Sequence, residues 1–138
     1  MKTTYTQLND GWNAAPNAPH PRIDVNGSLL KLFFRANAYQ FPEFDREDVL
    51  QLRFRNCWRY RLGSTNDEGW YLGQCRFGKS IPWGEFYEVS GNLRIDETSD
   101  WVLLGCAGAS TKHFLFYFRD GTFECDADSW ELLKIEDN

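Results

Sequence analysis

The chain has 138 residues, 17% of them aromatic, and its 15 basic and 20 acidic side chains leave a net charge of −5. This is one domain's length with enough apolar payload to bury a core, and it excludes intrinsic disorder, which needs few aromatics and a high net charge. The acidic balance argues against nucleic acid and anionic membrane surfaces as partners, and no run approaches the ~18 apolar residues of a membrane-spanning helix.

The first residues, MKTTYTQLNDGWN, carry no apolar signal-peptide region, so the expected location is the cytoplasm. A single domain is expected over 1–138, with 1–21 as an extended arm packed on it. Pro16, Pro19 and Pro21 disfavour helix there, and Trp12 is the natural anchor. Asn26-Gly27 between RIDV and SLLKLFF predicts a hairpin with a type I′ turn. That turn pairs Val25 with Ser28 and Ile23 with Leu30.

Residues 49–61, VLQLRFRNCWRYR, alternate as one strand that is packed on one side and wet on the other. Leu50, Leu52, Phe54, Trp58 and Tyr60 point inward, leaving Gln51, Arg53, Arg55, Arg59 and Arg61 together outside. The Gly-rich stretch that follows is too interrupted for helix. It predicts short strands around 70–77 and 85–89, with another at 101–104.

HFLFYFRDGTFECDA predicts a second hairpin, closed by Asp120-Gly121. Its apolar face pairs Phe118 with Phe123, Phe116 with Cys125 and Phe114 with Ala127. Its polar face pairs Arg119 with Thr122, Tyr117 with Glu124 and His113 with Asp128. The tail, DSWELLKIEDN, reads as a short helix capped by Asp128 or Ser129, with a last strand as the alternative. The fold class is therefore mainly β: a curved antiparallel sheet, sandwich or open barrel, with at most one or two short helices.

Two segments carry a resemblance. Asn66-Asp67-Glu68-Gly69 follows an arginine- and aromatic-rich strand, and His113, Asp120, Thr122, Phe123, Glu124 and Cys125 mark the C-terminal hairpin. Over roughly 54–127 the chain resembles a family of small bacterial β-rich proteins with an NDE-G segment and a D-x-T-F-E-C hairpin. Arg119 stands where that pattern has a histidine. The resemblance implies a β fold and a bacterial origin, and it implies no activity.

The chemistry-bearing residues are sparse. Cys57, Cys75, Cys106 and Cys125 show no CxxC pairing, so reduced, mostly buried thiols are expected, with no metal and no cofactor. Alternation places Cys125 and His113 on opposite faces of the hairpin, too far apart locally for a Cys–His nucleophile. The turn at Asn66, Asp67, Glu68 and Gly69 lacks calcium-loop spacing and reads as structural, its carboxylates meeting an arginine of 53–61.

From Asp96 onward ten acidic residues stand against three basic ones, a balance of −7. The polar hairpin face, with Tyr117, Glu124, Asp126 and Asp128 outside, is expected to form a protein-binding surface. The stripe of Arg53, Arg55, Arg59 and Arg61 is expected to be neutralised by carboxylates or to meet a partner. These features point to a non-catalytic, immunity- or antitoxin-type inhibitor of a basic partner. The alternative is a small barrel-like ligand-binding protein, or an enzyme whose type the sequence does not identify.

Overall fold

The computed structural model describes residues 4–63, 84–90, 101–106, 108, 111–118 and 121–135. Period-two alternation dominates throughout, and the result is ten strands with no helix among the described residues. They are β1 (Thr4–Gln7), β2 (Arg22–Asn26), β3 (Leu29–Arg35), β4 (Val49–Arg55), β5 (Arg59–Gly63), β6 (Phe86–Ser90), β7 (Val102–Leu103), β8 (Lys112–Phe118), β9 (Gly121–Ala127) and β10 (Ser129–Ile135). All pairings are antiparallel. One sheet runs β1-β6-β8-β9-β5-β7, the other β10-β4-β3-β2, and the two are not closed into a barrel. No described helix is long and apolar enough to cross a membrane.

Both hairpins keep the expected faces but shift register by two residues. Val25 pairs with Leu30 and Ile23 with Leu32, so the two-residue turn is Gly27-Ser28 rather than Asn26-Gly27. Gly27 has φ 61° while Ser28 stays negative, which fits a type II′ turn with its glycine first rather than type I′. In the second hairpin Phe116 pairs with Phe123, Phe114 with Cys125 and His113 with Asp126. Gly121 is therefore a strand residue, and Arg119 and Asp120 lie outside the described residues. Gly121 is needed for a different reason: a Cβ there would sit 2.6 Å from the Gly63 carbonyl oxygen of β5. The tail corrects the helix expectation, because β10 pairs along its whole length with β4.

The run 49–61 is not one strand in one sheet. β4 belongs to the four-stranded sheet and β5 to the six-stranded one, so Arg53 and Arg55 are separated from Arg59 and Arg61 and do not share a face. β9 and β10 make the same passage beside them. Between the pairs Arg55–Ser129 and Arg59–Asp126, residues 56–58 stand opposite only 127–128. That single extra residue is a bulge, the device by which strands bend from one sheet into another. Asn56 absorbs the bend at φ 53°. Asp128 N donates to Arg55 O at 2.9 Å and Trp58 N to Asp126 O at 3.0 Å, holding both strands together around the corner.

The inward residues of both sheets interdigitate as rings. Leu30, Leu32, Phe34, Leu50, Leu52 and Phe54 face Phe86, Phe114, Phe116, Phe118, Phe123 and Cys125. The arm contributes more than packing: β1 extends the six-stranded sheet at β6. Trp12, 6% exposed, then lies against Phe34, Phe86, Phe116 and Trp130 at 5.9–6.4 Å between ring centres.

Candidate functional site

The densest set of chemical groups lies on the outer face of β5, β9 and β8. Register alone sets up the first row, with Arg59 opposite Asp126 and Asp126 opposite His113. Arg61 lies opposite Glu124 in the next row. Arg59 Nε donates to Asp126 Oδ2 at 2.5 Å. Arg61 reaches Glu124 Oε2 from Nε at 2.8 Å and from its terminal nitrogen at 2.7 Å. His113 bridges the rows: Nδ1 is 2.9 Å from Asp126 Oδ1 and Nε2 is 3.0 Å from Glu124 Oε1. The Trp101 ring covers both guanidinium groups, 4.1 Å from Arg59 Cζ and 4.3 Å from Arg61 Cζ. It meets the His113 ring edge-on at 6.0 Å.

Geometry fixes the protonation state. A neutral imidazole has one N–H and one lone pair, and here each ring nitrogen faces a carboxylate oxygen. With both carboxyls ionised, both contacts are attractive only if both nitrogens carry protons. Burial alone would lower the His113 pKa, but the hydrogen bonds and charges of Asp126 and Glu124 outweigh it, and the pKa is raised above the ordinary 6.5. Burial likewise works to raise Asp126, and His113 and Arg59 overcome it, holding that carboxyl below its ordinary value. An imidazolium with both nitrogens engaged is neither a general base nor a metal ligand. Among the described residues no group of three or more His, Cys, Asp or Glu is arranged to hold a metal ion.

Where the expected site residues fall is a correction in several respects. Glu124 stands opposite Leu115, not Tyr117, and His113 stands opposite Asp126, not Asp128. The face expected to be solvated is buried. His113, Leu115 and Tyr117 are 0% exposed, Asp126 1% and Glu124 3%. Leu115 and Tyr117 pack with Tyr87 and Val89 in a second apolar cluster. Asp128 is half-buried and accepts from Asn56 Nδ2 at 3.0 Å. Outside the six-stranded sheet, Arg55 pairs with Glu131 at 3.1 Å, and Arg53 Nε donates to Gln51 Oε1 at 2.6 Å. Among the described residues three of the four arginines thus meet carboxylates; the expected contact with Asn66–Gly69 falls on a segment that lies outside the described residues, together with Cys75, Arg119 and Asp120.

Cys125 is in the core, on the far side of β9 from His113. Burial pushes its thiol pKa well up, with Cys57 beside it adding to the effect, so neither the position nor the protonation suits a nucleophile. Cys57 is also buried and Cys106 is exposed, so two of the three described thiols are buried as expected; all three are free.

Sequence reasoning missed a further group, Arg35, Tyr39 and Arg46, which line a cleft of about 600 Å³ between the arm and the 36–47 connection. No periodic pattern marks them, because two lie in a loop. No family model, curated protein or solved structure matches the chain.

Proposed function

We propose that the chain is a non-catalytic protein-binding domain, of the immunity or antitoxin kind, that acts on a basic partner in the bacterial cytoplasm. The observation that carries this reading is a patch of exposed apolar side chains at one end of the six-stranded sheet. Leu62 of β5 is 42% exposed, and Val102 and Leu103 of β7 are 46% and 68% exposed. Val102 pairs with Tyr60 and Leu103 with Arg59, so the patch wraps both faces at the end of the described strand order. Large apolar groups concentrated at a sheet margin are a partner's foothold.

Two further observations favour binding over catalysis. Arg59, Arg61, His113, Glu124 and Asp126 bond to one another with side chains 12% exposed or less. Ring-on-ring packing between the sheets, with Phe34 against Phe116 at 5.1 Å and Phe54 against Phe114 at 5.3 Å, leaves the interior to side chains, which argues against the alternative of a ligand carried inside. The exposed acids Asp24, Glu43, Asp45 and Glu47 keep the surface negative, and such a surface steers basic proteins into encounter.

The test is co-expression and purification with the product of the reading frame adjacent to this chain's gene. A stoichiometric complex and relief of that product's toxicity are expected. Val102→Asp with Leu103→Asp should weaken the complex by about tenfold or more, since anchors at an interface centre carry over 1 kcal/mol each, while leaving the fold unchanged. A neighbouring product that is neither bound nor neutralised, or a complex indifferent to the double variant, overturns the reading.

A further inference from the structure

The cleft beside the arm combines features that an ordinary surface depression does not need. Its lining brings together two arginines, Arg35 from the end of β3 and Arg46, with Tyr39 and Glu47, and four alanines keep it open. Its volume, about 600 Å³, lies within the ~300–1,000 Å³ of small-molecule sites. Arg22 lies over the Phe33 ring and Arg53 donates to Gln51, whereas here two arginines without a described carboxylate partner share one hollow.

Arg55, Arg59 and Arg61 all have carboxylate partners. Arg35 and Arg46 form no ion pair, although Glu47 lines the same cleft. Arg46 touches only Tyr39, whose hydroxyl accepts from Nη2 at 3.4 Å and whose ring lies 6.0 Å from Cζ. Two guanidinium groups lining one cleft without a described carboxylate partner suit an oxyanion, best a phosphate.

The remaining lining narrows the class. Tyr39 is 67% exposed, an aromatic ring at the cleft with the Arg46 guanidinium 6.0 Å from its centre, and a planar heterocycle can stack on such a ring. Glu47 offers an acceptor for ring N–H or hydroxyl donors. The wall is also held in place before any ligand arrives. Arg35 N donates to Pro19 O and Arg35 O accepts from Ala15 N, both at 2.8 Å, so the arm pins this residue's backbone on both sides. The next residue of the arm, His20, adopts φ 46° between two prolines. That is a left-handed conformation which surrounding structure must enforce and which tends to gather at ligand sites.

We infer that the Arg35–Tyr39–Arg46 cleft binds a mononucleotide-type ligand, its phosphate held by the two guanidinium groups and its ring against Tyr39. This site is separate from the apolar patch of the six-stranded sheet and stands or falls independently of it.

Calorimetric titration of the full chain with adenosine monophosphate, adenosine and inorganic phosphate tests the assignment. The monophosphate is expected to bind one to one, with adenosine and phosphate each at least about tenfold weaker. Arg35→Gln and Arg46→Gln should each weaken it by about tenfold or more, the scale of a lost charge-assisted hydrogen bond. Tyr39→Ala should weaken the monophosphate and leave phosphate unchanged. Lys112→Gln, an exposed cation on β8, should have no effect. Arg46 is exposed in a loop, so its variant reports binding without disturbing the fold. No saturable binding of the monophosphate, unchanged affinity in Arg46→Gln, phosphate binding as tightly as the monophosphate, or an equal loss in Lys112→Gln would overturn the inference.

Discussion

Arg55 and Arg59 stand four residues apart on one run of chain, and each meets a carboxylate across a strand pair, yet the two ion pairs belong to different regimes. Arg55 and Glu131 lie on the outer face of the four-stranded sheet with side chains 58% and 43% exposed. Water solvates each partner whether or not they touch, and such pairs contribute little. Arg59 and Asp126 have side chains 12% and 2% exposed and share their charges with His113, Glu124 and Arg61. There, every group depends on its neighbours, because an unpaired charge away from water is expensive. The same residue types at the same spacing are surface detail in one sheet and structural necessity in the other. Burial, not pairing, makes the difference.

The largest expected effect comes from breaking the buried side. Reversing Glu124 and Asp126 to Lys places two more cations against Arg59, Arg61 and protonated His113. Removing one partner of a buried pair costs about 3–5 kcal/mol, against a total stability of about 5–15 kcal/mol. The double variant should show no cooperative urea transition. A folded, soluble double variant would mean that this face is far wetter than described.

The buried side should also answer to pH in a direction fixed by its pKa shifts. His113 is raised when folded, so its contribution is full below its unfolded value of ~6.5 and is lost as pH climbs through the folded pKa. Asp126 is lowered when folded. Its contribution is therefore present above ~3.9 and lost as pH falls through the folded value. The urea midpoint should drop as pH rises from below ~6.5 through the raised folded pKa of His113, and His113→Gln should flatten that drop. An equal slope in both proteins would assign it to other groups.

On the exposed side the effect should nearly vanish. Arg55→Ala and Glu131→Ala should each stay within ~0.5–1 kcal/mol of the parent in urea denaturation, and added salt should shrink what difference remains. A larger loss would show that packing of the Arg55 stem, rather than its charge, matters there.

What the sequence made legible follows the same division. Parity was readable: Phe114, Phe116, Phe118 and Phe123 face inward as alternation requires, because side-chain period is a local property of extended chain. Register was not. Placing each turn on its Asn-Gly or Asp-Gly pair misplaced both hairpins by two residues, a shift that keeps every face and so leaves no trace in the hydrophobic pattern. Gly121 misled because it is there for the close approach of Gly63, a contact with a distant strand.

The corner at Asn56 escaped for a related reason. Alternation appears unbroken from Leu50 to Arg61, and only pairing with β9 and β10 reveals the extra residue. The burial of Tyr117, Glu124 and Asp126 escaped because polar residues on an alternating strand read as solvated unless the sheet is known to be covered on both sides.

The corner has a consequence for the order of events in folding. Both sheets are continuous through the same two chain segments, so neither can be completed while the other is absent, and loss of one withdraws strands from the other. The pairing that closes this junction joins Arg55 to Glu131, 76 residues apart. A loop of that length must be brought together before the contacts that reward it exist, which places the chain among the slow folders, on the millisecond-to-second scale of non-local β topologies. Synthesis imposes the same order: β4 can pair with β3 as soon as both are made, but its other edge waits for β10, and the apolar face around Phe54 waits for β8 and β9 to cover it.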